Sequence, residues 1–464
     1  MNKDYLIDCK GNETVLDALR RQGITIKAFC NGKRKCGKCR ILCEDERMCK
    51  PSRAEASLLT DEERAAGVRL ACFLCPGEGD VTDLKVTILD ELLNEAPILT
   101  GTDSIKTEDH KGGGIFAAFD LGTTTIAAKL IDEGRIAHTL SRRNSQCSFG
   151  ADVISRSEAS TGGKKAELAA CLKRDIDEMI SAFPYDPDYL VMAGNTTIIH
   201  LLMEYPLDKM VNYPFIPHYT GWHKFSYTTG NGISYDCIIL PNISAYIGGD
   251  IVSGLYSLDF GKRDDVNLFV DLGTNGEMAI GNRDSILTAS AAAGPAFEGT
   301  HINVATDVVK CMAWLKEYGI IDENGSLKDP YFETGYPYET EGGFVTISQR
   351  DIRDIQMAKS AIRAGISILM KKYGVTADEI GNLYLAGGMG HSLDMDSAAS
   401  IGLIPPELKD KAVSVGNTSL AGCVKYGTLG RQDKEIEKIL EASGEVILAN
   451  ENDFSDLYYE YMMF

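Results

Sequence analysis

Long apolar runs are missing from this sequence. No stretch in its 464 residues reaches the ~18 uninterrupted apolar positions of a membrane-spanning helix, so a membrane is not an expected partner. The opening MNKDYLIDCK lacks the basic-then-apolar layout of a secretory leader, which makes the cytoplasm the expected compartment. Positive charge is scarce: 47 Lys and Arg stand against 67 Asp and Glu, a formal charge of −20. An acidic body of that kind repels phosphate backbones, so nucleic acid is not expected as a partner either. Neither a Walker A sequence nor a G-x-G-x-x-G occurs, and neither the P-loop nor the Rossmann route to a nucleotide is supported. The 7 histidines are scattered singly, without metal-ligand spacing, and no low-complexity tract is present.

What the chain does have is cysteine. Its 13 cysteines, an odd number in a long chain without an export layout, point to metal or redox chemistry rather than to a disulfide framework. Eight lie before residue 76, and three fall within FCNGKRKCGKCR at 29–40. Cys30, Cys36 and Cys39 have C-x5-C-x2-C spacing, with Cys72 33 positions further on. Three thiolates on one loop plus a distant fourth is how a [2Fe-2S] cluster is held, and Gly32 and Gly37 suit a loop that must pass close to sulfide. From Lys27 to Arg40 there are six basic residues and no acidic one. Alone that run reads as a solvated loop; beside an anionic cluster it offsets charge and can steer an acidic partner. A zinc site from Cys36, Cys39, Cys72 and Cys75 stays open, although it leaves Cys30 without a role. Cys75 also stays open as the fourth cluster ligand. Cys43 and Cys49 are spare, and Cys9, Cys147, Cys171, Cys237, Cys311 and Cys423 read as structural thiols.

The charge divides the chain as the cysteines do. Residues 1–95 are nearly balanced, 16 basic against 17 acidic, leaving 31 against 50 for the rest. This region is expected to form a strand (DYLIDCK), a helix ending at Gly23, the cysteine loop, a helix over 52–67 with Ser52 and Glu55 at capping-box spacing, and a strand, DLKVTILD. Residues 96–114 are polar, Gly-rich and aperiodic, an expected linker. Beyond it the chain repeats itself. IFAAFDLGTTTIAAKLID (115–132) and LFVDLGTNGEMAIGN (268–282) are both strand, DLGT turn, strand. Each is followed by a helical stretch and a strand ending in Ala-Gly, at 189–194 and 383–387. The second copy carries an apparent insertion, DENGSLKDPYFETGYPYETEGG. A duplicated α/β domain over 115–464 is expected, its halves near 115–260 and 261–464, with a cleft between them.

Each DLGT turn offers backbone N–H groups and hydroxyls to a phosphate chain: Gly122, Thr123, Thr124 and Thr125 in the first, Gly273, Thr274, Asn275 and Gly276 in the second. Asp120 and Asp271 are placed to hold Mg²⁺ directly or through water. Asp250 in IGGD and Glu298 in PAFEG are candidates for orienting an attacking water, each with an ordinary cap or loop role as the alternative. Asn195 to Thr197 read equally well as a self-capped helix N-terminus.

With these motifs in place, the cysteine spacing resembles [2Fe-2S] ferredoxins of the adrenodoxin type, whose fold is the β-grasp. The paired turns resemble the actin, Hsp70 and sugar-kinase (ASKHA) ATPase superfamily. That resemblance implies ATP binding, with Gly387, Gly388 and Met389 on the adenosine side, and leaves Lys359 either an adenosine contact or a solvent-facing lysine. The two together, with SFGADVISR, AGNTTIIHLL, PNISAYIGGDIVSG, AAAGPAFEG and RDIRDIQMAKSAI, resemble the reductive activators of corrinoid proteins over nearly the whole chain. Two departures stand out: little separates the cysteine region from the ATPase, and GGMG replaces the more usual GGFG. The resemblance implies an ATP-hydrolysing oxidoreductase. Its cofactors are a [2Fe-2S] cluster on Cys30, Cys36, Cys39 and Cys72, ATP, and Mg²⁺ at Asp120 and Asp271. Its partners are a corrinoid protein, whose Co(II) it returns to Co(I), and an external electron donor; a homodimer stays open. An activator of another low-potential enzyme, a redox-regulated small-molecule kinase and a zinc-bearing nucleotide switch are the alternatives.

Overall fold

A computed structural model of the protein describes residues 3–89, 114–294, 305–340, 343–387, 393–431 and 434–464. The expected linker lies outside the described residues except for Gly114, and so do Glu298, Gly388 and Met389. Among the described residues no helix is long and apolar enough to cross a membrane.

The N-terminal region is a β-grasp-like unit. Strands β1 (Lys3–Cys9), β2 (Arg40–Leu42), β3 (Val68–Leu70) and β4 (Val81–Ile88) form one sheet in the order β1-β4-β2-β3. The helix Val15–Arg21 starts where the Thr14 side chain accepts from Asp17 N, and it buries Val15, Leu16, Ala18 and Leu19 against that sheet. The helix expected over 52–67 is two short helices, Arg53–Ala56 and Asp61–Ala65. Thr60 and Glu63 form a complete capping box, which restarts the chain there. Ser52 does cap Glu55 N at 3.1 Å. The Glu55 carboxylate turns inward instead of closing a box, accepting from Arg69 Nε and Leu70 N, each at 2.9 Å.

Two six-stranded sheets follow. The first runs β7-β6-β5-β8-β10-β9, from β5 (Ile115–Leu121), β6 (Thr125–Asp132), β7 (Arg135–Arg143), β8 (Tyr189–Gly194), β9 (His223–Thr228) and β10 (Ser234–Ile239). The second is built from β11 (Asn267–Leu272), β12 (Gly276–Gly281), β13 (Ile286–Ala291), β16 (Leu383–Ala386), β17 (Ala412–Gly416) and β18 (Ser443–Glu445), while β14 (Tyr336–Thr340) and β15 (Gly343–Ile347) pair as a hairpin outside it. Its order is β17-β16-β11-β12-β13-β18. In each sheet an antiparallel hairpin, β5–β6 or β11–β12, takes a parallel neighbour, β8 or β16, on its first strand. The duplication legible in the sequence is thus one of topology. Strands covered on both faces need continuous apolar runs, and β8 is buried at all six positions. The insertion carries β14, which pairs with β15, and its Tyr336 and Tyr338 rings sit 5.7 and 6.0 Å from Trp314.

A shared core joins the two sheets, built from Phe116, Val191, Phe269 and Ala386 with the helices Gly249–Ser257 and Thr418–Thr428. These helices start side by side at the cleft, and Ser253 Oγ donates to the Ser419 carbonyl at 2.6 Å. Lys359 is neither solvent-facing nor open to a ligand as placed. It is buried in the helix Gln349–Tyr373, and its Nζ donates to the Tyr461 and Met463 carbonyls at 2.5 and 2.6 Å. The C-terminal segment covers it, and burial lowers its pKa to about 8.

Candidate functional site

The cysteine loop wraps back on itself through left-handed residues, Asn31, Gly32, Arg34 and Gly37. At Gly37 (φ +62°) a Cβ would lie 3.0 Å from the Leu58 carbonyl oxygen, so the loop needs glycine there. This wrapping brings Cys30, Cys36, Cys39 and Cys72 within electrostatic reach of one another, in two pairs, Cys30 beside Cys36 and Cys39 beside Cys72. Two thiols for each of two irons is the donor set a [2Fe-2S] group asks for. Among the described residues no three His, Cys, Asp or Glu side chains gather about one point as a single ion requires. The backbone donates to the sulfurs, with Lys35 N 3.5 Å from Cys30 Sγ. Burial raises Cys30, but the N–H groups of Lys35 and Cys36 outweigh it and the net shift is downward. The neighbouring Cys72 thiol, ahead of burial, sets the Cys39 thiol, which is lowered to about 7 while Cys72 rises. These residues fit the cluster.

Cys75 is bonded through its backbone to Cys49. Its N–H donates to Cys49 Sγ at 3.3 Å, and Cys49 N returns to the Cys75 carbonyl at 2.8 Å. The basic collar is partly spent as well: Lys33 pairs with Glu158, Arg40 with Glu63, and Arg34 donates to the Cys72 carbonyl at 3.1 Å. Lys35 is left exposed at the loop surface.

Across the molecule the two DLGT turns meet. Thr124 Oγ1 and Thr274 Oγ1 lie 3.0 Å apart, so the hydroxyls of both halves converge on one cleft. Each turn is closed internally, Gly122 N to the Thr125 carbonyl at 3.0 Å and Gly273 N to the Asn275 carbonyl at 3.1 Å. Their strands deliver Asp120 and Asp271 to the cleft floor. The Asp120 carboxylate accepts from Asn417 Nδ2 at 2.8 Å and Ser419 Oγ at 2.7 Å, bridging the two halves. Gly387 (φ +89°) passes over Asp271: a Cβ there would stand 2.6 Å from Asp271 Oδ1 and 2.7 Å from the Leu272 carbonyl oxygen. Gly387→Ala is therefore expected to weaken nucleotide binding by about 10-fold or more, read by calorimetry, with the visible spectrum of the cluster unchanged. Asn195 caps its own helix, Thr196–Leu202, accepting from Thr197 N at 2.9 Å.

Asp250 opens the helix Gly249–Ser257 beside Asp120. Loss of water, and then the Asp120 charge, push it up to about 7. Glu277, which sequence reasoning missed, sits directly across the hairpin from Asp271 and is raised well above the usual range by burial and then by Asp250 and Asp271. Asp120 is raised by burial too, against the pull of Ser419 and Asn417. Carboxylates whose charges act on one another in a buried site favour their protons. A raised acid binds its proton more tightly in the folded chain, so its contribution to stability is lost as pH rises from about 4 through 7. Without Mg²⁺, Asp250→Asn should melt ~3 °C above the wild type at pH 8, and the gap should close by pH 5.

These two sites define a class: a [2Fe-2S] ferredoxin-type domain joined to an ATPase-type body of two duplicated halves. Comparison with known proteins narrows it. Residues 2–77 match the 2Fe-2S iron-sulfur cluster binding domain, 115–263 the RACo middle region, and 265–310 with 304–464 the C-terminal domain of RACo, the ASKHA domain. The chain belongs to the family of reductive activators of corrinoid proteins. It is 26% identical over 421 residues to the corrinoid activation enzyme RamQ of Eubacterium limosum, covering 75% of this chain and 70% of that protein. Over 234 residues it is 29% identical to the [Co(II) methylated amine-specific corrinoid protein] reductase of Methanosarcina barkeri, covering 40% and 43%. The fold matches a solved reductive activator for corrinoid, iron-sulfur protein with TM-score 0.66 at 23% identity, over 98% of this chain and 96% of that one.

Proposed function

We propose that this chain is an ATP-dependent reductive activator, passing one electron to the inactive Co(II) corrinoid of a methyl-transfer protein so that Co(I) is restored. The observation that carries the reading is the two-pair thiol constellation, built into the same chain as a cleft in which two phosphate turns meet. When bound, the [2Fe-2S] group supplies one-electron storage, and Cys30, Cys36, Cys39 and Cys72 hold it. Thr123 to Thr125 and Gly273 to Gly276 cradle the phosphates, with Gly387, Gly388 and Met389 on the adenosine side. Asp120 and Asp271 hold Mg²⁺, assisted by Glu277, and Asp250 or Glu298 orients the attacking water. Plant-type clusters sit near roughly −400 mV, and Co(II) reduction is harder still, so closure of the halves over ATP supplies the driving force. We assign 1–95 to the cluster domain, 96–114 to the linker and 115–464 to the ATPase, acting in the cytoplasm with an external electron donor. Iron, zinc and sulfide analysis of anaerobically purified protein, with a visible spectrum, tests the reading. About two irons and two sulfides per chain, with bands that bleach on reduction, are expected; one zinc and a featureless spectrum would overturn it.

A further inference from the structure

The chain that continues from the first phosphate hairpin ends at the cluster loop. Asn144, fully buried, donates from Nδ2 to the Gly122 carbonyl at 2.9 Å, and its own N–H meets the Thr124 carbonyl at 2.9 Å. Its Oδ1 accepts from Gln146 N at 3.0 Å and so starts the single helical turn Ser145–Ser148. That turn is held firmly. Ser145 gives its N–H and its hydroxyl to Asp175, each at 2.7 Å, and Gln146 Nε2 reaches the Leu168 carbonyl at 2.9 Å. At the far end the Ser148 carbonyl accepts from Arg20, a residue of the cluster domain, whose guanidinium also lies 4.5 Å from the centre of the Phe149 ring. The Arg20 side chain is only 6% exposed. It reaches back to Asn31 Oδ1 in the cluster loop at 3.0 Å and pairs with Asp17 on its own helix at 3.4 Å. Two further contacts close the seam: Ala151 N donates to the Phe29 carbonyl at 3.3 Å, and Lys33 pairs with Glu158.

We propose that Ser148–Glu158 is the dock for the chain's own cluster domain, that Arg20 is its pin, and that Asn144 ties the dock to the phosphate turn. Nucleotide occupancy then sets how tightly the cluster loop is held. This deepens the proposed function and rests on it for the nucleotide. A phosphate chain in the cleft reorients the Gly122–Thr125 turn, and Asn144, bonded to two of its carbonyls, must follow. The Ser145–Ser148 turn has too many buried partners to absorb the shift, so it is passed to Ser148 and Arg20. Arg20 is a positioning residue: leaving the dock strips a buried cation of an acceptor, a change the chain cannot make in small steps.

The test is amide hydrogen exchange on the full-length holoprotein, nucleotide-free and with Mg²⁺ and an imido analogue of ATP. Residues 18–34 and 145–158 should change protection together by about 10-fold when 120–126 respond to nucleotide. Lys33→Glu should raise exchange several-fold at both segments, and Lys33→Glu with Glu158→Lys should restore it. Arg20→Lys, which keeps the charge but loses the fork, should leave 120–126 responsive and 18–34 silent. If wild-type 18–34 stays silent while 120–126 responds, the tie is overturned; if Lys33→Glu has no effect, the dock is overturned. Silence at 120–126 as well overturns both this inference and the ATPase reading. An intact exchange response without Co(I) formation overturns the proposed function alone.

Discussion

Asp120→Ala is expected to cut ATP-dependent Co(I) formation and ATP hydrolysis by about 100-fold or more while leaving iron content and visible spectrum intact. The size follows from where the carboxylate sits. It is a charge in a cleft shared with Asp250, Asp271 and Glu277, where a fixed charge facing a metal–phosphate unit acts through little intervening water. Asp120 also receives Asn417 and Ser419 from the opposite half, so its removal loosens closure as well as cation binding. Asp120→Asn separates the two contributions. The amide keeps an oxygen for one cross-half hydrogen bond and loses the charge, so closure in the presence of nucleotide should partly survive while hydrolysis does not. The cluster domain has its own core, which is why its spectrum should not respond.

Cys72→Ser should purify with close to no cluster iron, whereas Cys75→Ser should retain about two irons per chain, read by metal analysis and absorption. The chain holds both thiols in one short run, Cys72-Phe-Leu-Cys75, but the backbone turns between them. Cys72 faces Cys39, with its N–H side stabilising that thiolate, while Cys75 pairs through backbone and sulfur with Cys49. Serine at 72 leaves one iron with a poor, high-pKa donor, and a four-ligand group rarely tolerates that loss. Serine at 75 keeps the backbone N–H that reaches Cys49 Sγ and the carbonyl that Cys49 N reaches, so its niche survives. Loss of the cluster in Cys75→Ser with retention in Cys72→Ser would reverse the ligand assignment.

Much of this was readable before any fold was in hand, because the informative spacings were local. Three of the four thiols sit on one loop, and the two DLGT turns repeat within identical strand-turn-strand frames. The hairpin pairings then put Asp120 and Asp271 at matching positions, opposite Ala127 and Glu277. Glu277 could have been found from that register, since two carboxylates directly opposite each other in a hairpin are costly and mark a site. Asn417 and Ser419 could not: they reach Asp120 across 297 and 299 positions, which no periodicity reports. The same limit applies to Lys359. Helical spacing places it on a face, but only the fold shows the C-terminal segment lying over that face. Residues 52–67 form two helices rather than one for a local reason, a complete capping box at Thr60 inside an otherwise helical run.

The most direct measurement is a single-turnover assay of the holoprotein mixed anaerobically with a Co(II) corrinoid protein and reductant, with and without MgATP. The absorption band of Co(I) should appear only when MgATP is present, in step with ADP. Full reduction without ATP, or ATP consumption that leaves the cobalt unchanged, would contradict the account.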